Sequence, residues 1–247
     1  MTKLYQKSEI TFAVLWIAAY VVLTSLADQL SASVGVMKSV TAALHVVMTL
    51  VLFFWIRKNH LGGKYGFCRS EIPAKRFLYY IPLILIASSA FWGGVKLQCS
   101  VPEAVLYIVS MTCVGFLEEV IFRGLLFRAM EKTNLRSAIL VSSLTFGIGH
   151  IVNLFNGNGR DPLSSLIQIV FAVLVGFVLV WIFYHGKSLI ACILFHSANN
   201  ALKVFAAEGS LSPQTEMIIN LALIVAVLGG YAFYLVRKFP LKEKQVR

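Results

Sequence analysis

Eight apolar runs, separated by short polar segments, follow one another along the chain of 247 residues. Each run is as long, or nearly as long, as the roughly 20 residues that an α-helix needs to cross a hydrocarbon core of about 30 Å. The pattern predicts an all-α protein, a polytopic membrane helix bundle with about eight transmembrane helices. The runs occupy residues 10–27, 39–56, 77–95, 104–127, 137–155, 163–184, 188–207 and 217–236.

The composition supports a membrane protein and leaves no room for a separate soluble domain. Hydrophobic residues make up 58% of the chain and charged residues only 13%, with a mean hydropathy of +0.79. Soluble domains carry about 25% charged residues. We therefore treat residues 1–247 as a single integral-membrane domain.

The basic residues lie at the ends of the apolar runs, so the net charge of +11 indicates membrane topology and not nucleic-acid binding. A cytoplasmic amino terminus followed by eight spans leaves only four of the 22 basic residues on the far side, namely Lys38, Lys96, Arg160 and Lys203. We therefore expect a multi-pass protein of the plasma membrane with both termini in the cytoplasm. Membrane lipids are expected partners of its basic loops, and nucleic acid is not.

Three ionisable side chains, Glu118, Glu119 and Arg123, interrupt the fourth apolar run. A charge at membrane depth costs about 3 kcal/mol or more, so each is by default a candidate functional residue. On an α-helix Glu119 and Arg123 share a face, in the order that favours an ion pair. Glu118 points about 100° away from Glu119. We therefore predict that Glu119 and Arg123 form a supporting pair and that Glu118 is the reactive acid.

Two later runs carry polar residues of matching chemistry. The fifth run contains His150, and Gly147 and Gly149 before it would let another helix or a substrate backbone approach closely. The seventh run contains His196 and Asn200, four residues apart on one helical face. These histidines are candidate functional residues because they occur together.

Four of these polar side chains can share one depth. Counting from the nearest cytoplasmic basic residue at about 1.5 Å per residue puts each of them roughly 14 to 21 Å above it. They are Glu118, His150, His196 and Asn200. Neighbouring helices would then bring them into one polar chamber near the middle of the membrane. His45, in the second run, is a lone histidine and is interpreted as a hydrogen-bonded core residue.

Such a chamber supports the hydrolysis of an amide by an activated water. A carboxylate beside an imidazole can hold and deprotonate water, and a second imidazole with a carboxamide can donate hydrogen bonds to the resulting oxyanion. This interpretation needs no cofactor. An alternative stays open, in which Glu118, His150 and His196 ligate zinc with water in the fourth position and Asn200 serves the oxyanion.

Three motifs in order carry a resemblance to a known family. They are Glu-Glu-x-x-x-Arg at Glu118, Glu119 and Arg123, Phe-x-x-x-His at Phe146 and His150, and His-x-x-x-Asn at His196 and Asn200. On these motifs the chain over about residues 104–207 resembles the CaaX protease and bacteriocin-processing family of intramembrane endopeptidases, also called the abortive-infection family. Eight spans also match that family.

The resemblance implies a peptide hydrolase with assigned roles. Glu118 would activate the water with His150, and His196 and Asn200 would form the oxyanion site. The supporting residues would be Glu119, Arg123 and Phe146. The carboxamide and the lack of a His-Glu-x-x-His zinc motif favour a metal-independent glutamate protease over a zinc enzyme. The short chain looks more like the bacterial members, so we expect a small membrane-associated peptide or protein precursor as substrate.

Two other functions would also place charges in a membrane. A transporter or proton relay needs a polar pathway to both faces, whereas the polar residues here fall in one layer. A non-catalytic immunity or scaffold protein would not need the complete set of motif residues. We therefore favour the protease over both.

Overall fold

A computed structural model describes residues 1–151, 162–207 and 212–241, and its regular structure is helical, as predicted. The α-helices are α1 (Thr2–Lys7), α2 (Glu9–Val34), α3 (Ser39–Lys58), α4 (Ile81–Ser88), α5 (Val101–Glu118), α6 (Arg128–Met130), α7 (Leu135–Gly149), α8 (Pro162–Gly186), α9 (Ile190–Ala201), α10 (Pro213–Ala222) and α11 (Gly230–Lys238). Short 3-10 segments are Ala74–Tyr80, Ser89–Phe91 and Leu202–Phe205. The π-helical segments are Glu119–Phe127 and Leu223–Gly229.

Helices long and apolar enough to cross a membrane number six within the described residues, which makes the chain a multi-pass membrane protein. They are Glu9–Val34, Ser39–Lys58, Ala74–Phe91, Val101–Met130, Leu163–Gly186 and Met217–Lys238. The fifth and seventh apolar runs form the shorter helices Leu135–Gly149 and Ile190–Phe205. The predicted count of eight spans is therefore not confirmed. Residues 152–155 of the fifth run, and the loop that follows it, lie outside the described residues.

The third apolar run is not one continuous helix. Leu78, Tyr79 and Tyr80 have φ angles of 53°, 52° and 59°, which lie in the left-handed region. The preceding turn is held from elsewhere, because the Tyr231 hydroxyl donates to the Phe77 carbonyl at 2.9 Å. Helix α4 then begins at Ile81. The sequence shows only apolar residues here, without the glycine that usually marks such a turn, so hydropathy alone predicts an unbroken helix.

The bundle hides its charges and presents apolar side chains outward. Glu119 and Arg123 have no exposed surface, whereas large apolar side chains such as Phe54, Ile84 and Val225 face out. A soluble protein distributes these residues the other way. A lipid environment favours this arrangement, because neither of these two buried charges is exposed to hydrocarbon.

One end of the bundle is joined by ion pairs between distant segments. Glu9, at the start of α2, pairs with Lys64 at 2.8 Å and with Lys132 at 2.7 Å. Burial works against the Lys64 ammonium, but its hydrogen bonds to Glu9 and Tyr5 prevail and raise the pKa of Lys64. The opposite end holds the pair between Asp28 and Lys38 at 2.7 Å. Lys64 and Lys132, which the charge pattern assigns to one side, are thus brought together.

Two glycines allow helices to approach closely around the motif residues. A Cβ on Gly115 of α5 would overlap the backbone of Ser197 in α9. A Cβ on Gly147 of α7 would overlap Val173 in α8 and lie 3.1 Å from the Ile169 carbonyl. The predicted close approach at Gly147 is therefore confirmed. Gly149 differs, because a Cβ there meets nothing within 4 Å.

We expect Gly147→Ala to destabilise the protein and Gly149→Ala to be tolerated. The added methyl at Gly147 would push α7 away from the backbone of α8, and overpacking of this kind costs about 1–3 kcal/mol. The same methyl at Gly149 has room. Thermal unfolding of both variants in one detergent measures the difference. Equal melting temperatures would show that the contact between α7 and α8 adjusts without cost.

Candidate active site

The helix that carries the acidic motif changes its winding at the motif. Helix α5 ends at Glu118, and Glu119–Phe127 continues as a π-helix. A π-helix leaves backbone carbonyls with altered partners, and such segments are frequent at functional sites. The Ser142 hydroxyl of α7 donates to the Phe122 carbonyl at 2.9 Å, inside the π-helical segment. The apolar pattern by itself predicts an α-helix throughout this run.

The buried ion pair forms as the spacing predicts. Arg123 Nη1 lies 3.1 Å from Glu119 Oε1, and both side chains are fully buried. The Arg123 guanidinium also lies over the Phe146 ring, 4.1 Å from its centre. The negative face of the ring stabilises a cation that water cannot reach.

His196 lies between the two carboxylates. Its Nδ1 is 2.8 Å from Glu119 Oε1 and its Nε2 is 3.4 Å from Glu118 Oε2. His196 therefore links the Glu119–Arg123 pair to Glu118. The sequence pairs Glu119 with Arg123 alone and does not predict its contact with His196.

Close packing of α9 on α5 makes this contact possible. Gly115 allows the Ser197 backbone to lie against α5, and the Ser197 hydroxyl donates to the Thr112 carbonyl at 3.1 Å. Residue 196 then faces the end of α5, one turn beyond Gly115. The geometry of the histidine therefore depends on a glycine that the motifs do not include.

Glu118 and His150 line one cavity of about 130 Å³. The His150 Nδ1 is 3.0 Å from the Phe146 carbonyl, and because a carbonyl only accepts, Nδ1 carries a proton. In the neutral ring Nε2 is then the basic nitrogen. The cavity wall consists of Tyr20, Val21, Thr24, Ser25, Asp28, Glu118, Phe122, Phe146, Gly149 and His150.

Phe146 contacts both imidazoles. Its ring centre is 5.4 Å from that of His150 and 5.6 Å from that of His196, and both pairs are edge-to-face. The Arg123 guanidinium lies over the face of the same ring. The ring therefore packs against three polar groups, the two imidazoles and the guanidinium, without donating a hydrogen bond to them. This position fits the supporting role predicted for Phe146.

Asn200 lies about one helical turn beyond His196 in α9, roughly 6 Å along the axis. Its Oδ1 accepts a hydrogen bond from Asn199 Nδ2 at 3.4 Å. Neither Asn200 nor His196 belongs to the described cavity wall, but His196 contacts Glu118 and Phe146. The structure thus brings Glu118, His150 and His196 to one place. The role of Asn200 as an oxyanion donor stays a prediction.

Sequence reasoning missed the contribution of α2. The Tyr20 hydroxyl donates to Glu118 Oε1 at 2.7 Å. Thr24 and Asp28 follow at intervals of four residues on the same helical face and also line the cavity. The spacing of these three residues along α2, at the end of the first apolar run, was the available signal. His45, by contrast, is a buried core residue bonded to Ser110 at 2.9 Å, as predicted.

Independence from metal and the alternative zinc site of Glu118, His150 and His196 both stay predictions. Across residues 1–151, 162–207 and 212–241, no three His, Cys, Asp or Glu side chains form a group that could hold a metal ion. Both His150 and His196 make a hydrogen bond through Nδ1, and zinc-bound histidines commonly make such a bond through the nitrogen that does not bind the metal.

Comparisons with known proteins agree with the motif region. The family model for type II CAAX prenyl endopeptidase Rce1-like proteins matches residues 100–202, which include all three motifs. No curated protein and no solved structure matches the chain.

Proposed function

We propose a mechanism and a substrate class from the premise that residues 100–202 place this chain in the Rce1-like family of CAAX-type intramembrane proteases. The family and the membrane-spanning helices make the chain a multi-pass membrane protease in general terms. We propose three further points, namely the identity of the catalytic base, the independence from metal and the class of substrate.

Glu118 is the proposed general base, and His150 holds the water with it. The observation that carries this proposal is that both side chains, from different helices, line one cavity. Water bound there would lose a proton to the Glu118 carboxylate as its oxygen attacks the peptide carbonyl carbon. The proton then passes from Glu118 to the leaving amine when the carbon–nitrogen bond breaks. Because water and not a side chain attacks the carbonyl carbon, no acyl-enzyme forms.

His196 is the proposed donor to the oxyanion, with Asn200 as its partner. Support comes from the Nδ1 contact with Glu119, which leaves only Nε2 of His196 directed toward Glu118. A protonated Nε2 beside the attacked carbonyl would stabilise the negative charge that develops on its oxygen. Glu119 and Arg123 would act indirectly, because they fix the His196 ring without contacting the substrate.

The proposed substrate is a small membrane-associated peptide or protein precursor, and no metal is required. The family name adds prenylated CAAX tails to the classes that should be tested. We further propose that the protein lies in the plasma membrane with both termini in the cytoplasm. The clustering of Lys64 and Lys132 on Glu9 at one end supports a basic cytoplasmic face.

Purified protein in lipid vesicles should cleave a synthetic peptide in the presence of chelator. The probes are two CAAX-tailed peptides that differ only in a farnesyl group on the cysteine, with products identified by mass spectrometry. We expect cleavage to persist with a zinc chelator and to yield no hydroxamate when hydroxylamine is added. Loss of activity that zinc restores would contradict the metal-free mechanism, and a hydroxamate product would reveal an acyl-enzyme. Cleavage of neither peptide would reject the CAAX-type substrate.

A further inference from the structure

We propose that Tyr20 is a positioning residue for Glu118, so that the catalytic unit extends to a helix outside the family-matched segment. The proposal rests on the assignment of Glu118 as the general base. The Tyr20 hydroxyl donates to Glu118 Oε1 at 2.7 Å. Glu118 Oε2 has no hydrogen-bond partner among the described residues and lies 3.4 Å from His196 Nε2. The two carboxylate oxygens are therefore distinct, because Tyr20 holds one and the other faces His196.

The tyrosine is itself held in place by buried polar contacts. Its ring stacks on the His45 ring, with centres 5.9 Å apart and planes inclined by 30°. His45 is fully buried, and its two nitrogens bond Ser110 at 2.9 Å and Thr24 at 3.1 Å. The side chains of α2, α3 and α5 thus form one layer that fixes the direction of the Tyr20 hydroxyl.

A phenol bound to a carboxylate suits the task of a general base. The 2.7 Å distance is that of a well-formed O–H···O hydrogen bond. A carboxylate anchored through one oxygen presents the other in a fixed direction, and misplacement by about 1 Å can cost on the order of 100-fold in rate. Tyr20 also lines the cavity that Glu118 and His150 share, so the anchor lies beside the reacting atoms.

A second buried tyrosine provides a matched comparison. Tyr231 also buries its ring and donates its hydroxyl, in that case to the Phe77 carbonyl at 2.9 Å. That bond supports the turn before α4, away from Glu118. Loss of the Tyr20 hydroxyl is therefore expected to affect the base, whereas loss of the Tyr231 hydroxyl affects only the fold.

The test compares Tyr20→Phe with Tyr231→Phe on whichever of the two CAAX-tailed peptides is cleaved. Phenylalanine keeps the ring stacked on His45 and removes only the oxygen. We expect Tyr20→Phe to lower kcat by about 10- to 100-fold with KM within about twofold of the unmodified protein. Tyr231→Phe should leave both constants unchanged, and thermal unfolding should show that both variants are folded.

The outcomes separate this inference from the proposed function. Unchanged kcat in Tyr20→Phe, with Glu118→Gln inactive, would overturn the role of Tyr20 alone. A raised KM with unchanged kcat would make Tyr20 a substrate contact and would also overturn a positioning role. Retained hydrolysis in Glu118→Gln would overturn the proposed base, and the inference about Tyr20 with it.

Discussion

Replacing Glu118 with glutamine is expected to abolish peptide hydrolysis while the protein stays folded. Glutamine has the same shape, and its Oε1 can still accept the hydrogen bond from Tyr20 that the carboxylate accepts at 2.7 Å. It cannot take a proton from water. Loss of a general base costs typically 100- to 10,000-fold in rate, which would put turnover near or below detection.

Glu103→Gln is the matched control for this variant. It makes the same change on the same helix, at a residue that forms a capping box with Ser100 at the start of α5. Glutamine also occurs at this position of a capping box, so activity should be retained. A small loss of stability is expected, because Glu103 Oε1 also accepts from the Met37 N–H at 3.1 Å and an amide has only one oxygen. Product formation by both variants, measured by mass spectrometry on the cleaved peptide, decides the result. Comparable turnover by Glu118→Gln and the unmodified protein would remove Glu118 from the reaction.

Local helix geometry explains what the sequence could predict about the site. The pair between Glu119 and Arg123 depends only on a spacing of four residues, and it forms at 3.1 Å. The shared depth of Glu118 and His150 depends only on helix rise and on the positions of basic residues. Each inference needs one helix and its flanks, which a single sequence contains.

Contacts between helices explain what the sequence could not predict. The hydrogen bond that Glu119 Oε1 accepts from His196 Nδ1 requires α9 to approach α5 at Gly115. In the π-helical segment, the Phe122 carbonyl accepts a hydrogen bond from the Ser142 hydroxyl, which belongs to another helix. Tyr20 stands in an apolar run where an aromatic residue is ordinary, and only packing shows that its hydroxyl meets Glu118.

The fold shows the same division. Hydropathy locates every apolar run, because burial in lipid requires only an apolar sequence of sufficient length. It does not show the left-handed residues Leu78, Tyr79 and Tyr80 that interrupt the third run. Such backbone turns are held by distant partners such as Tyr231. The local signal here is Pro82 in the first turn of α4, a position typical of a helix start, which hydropathy does not register.

Removing one charge of the Glu119–Arg123 pair is expected to destabilise the protein more than removing both. Arg123→Met would leave Glu119 buried without its cation, and Glu119→Gln would leave a guanidinium whose main remaining contact is the Phe146 ring. Breaking a buried ion pair costs about 3–5 kcal/mol, whereas replacing both partners by neutral residues is often nearly neutral. Thermal unfolding and expression yield of the two single variants and the double variant measure this. Lys132→Met, at a half-exposed ion pair with Glu9, is the control and should cost about 1 kcal/mol or less.

Activity of the double variant separates the two contacts of Glu119. The glutamine introduced by Glu119→Gln could still accept a hydrogen bond from His196 Nδ1, but it would carry no charge to stabilise a protonated ring. If Glu119 also acts through His196, the double variant regains stability and stays at least about 10-fold slower than the unmodified protein. Full activity together with recovered stability would show that Glu119 serves Arg123 alone. The contact of 2.8 Å between Glu119 and His196 favours the first result, because it joins the Glu119 carboxylate directly to the His196 ring.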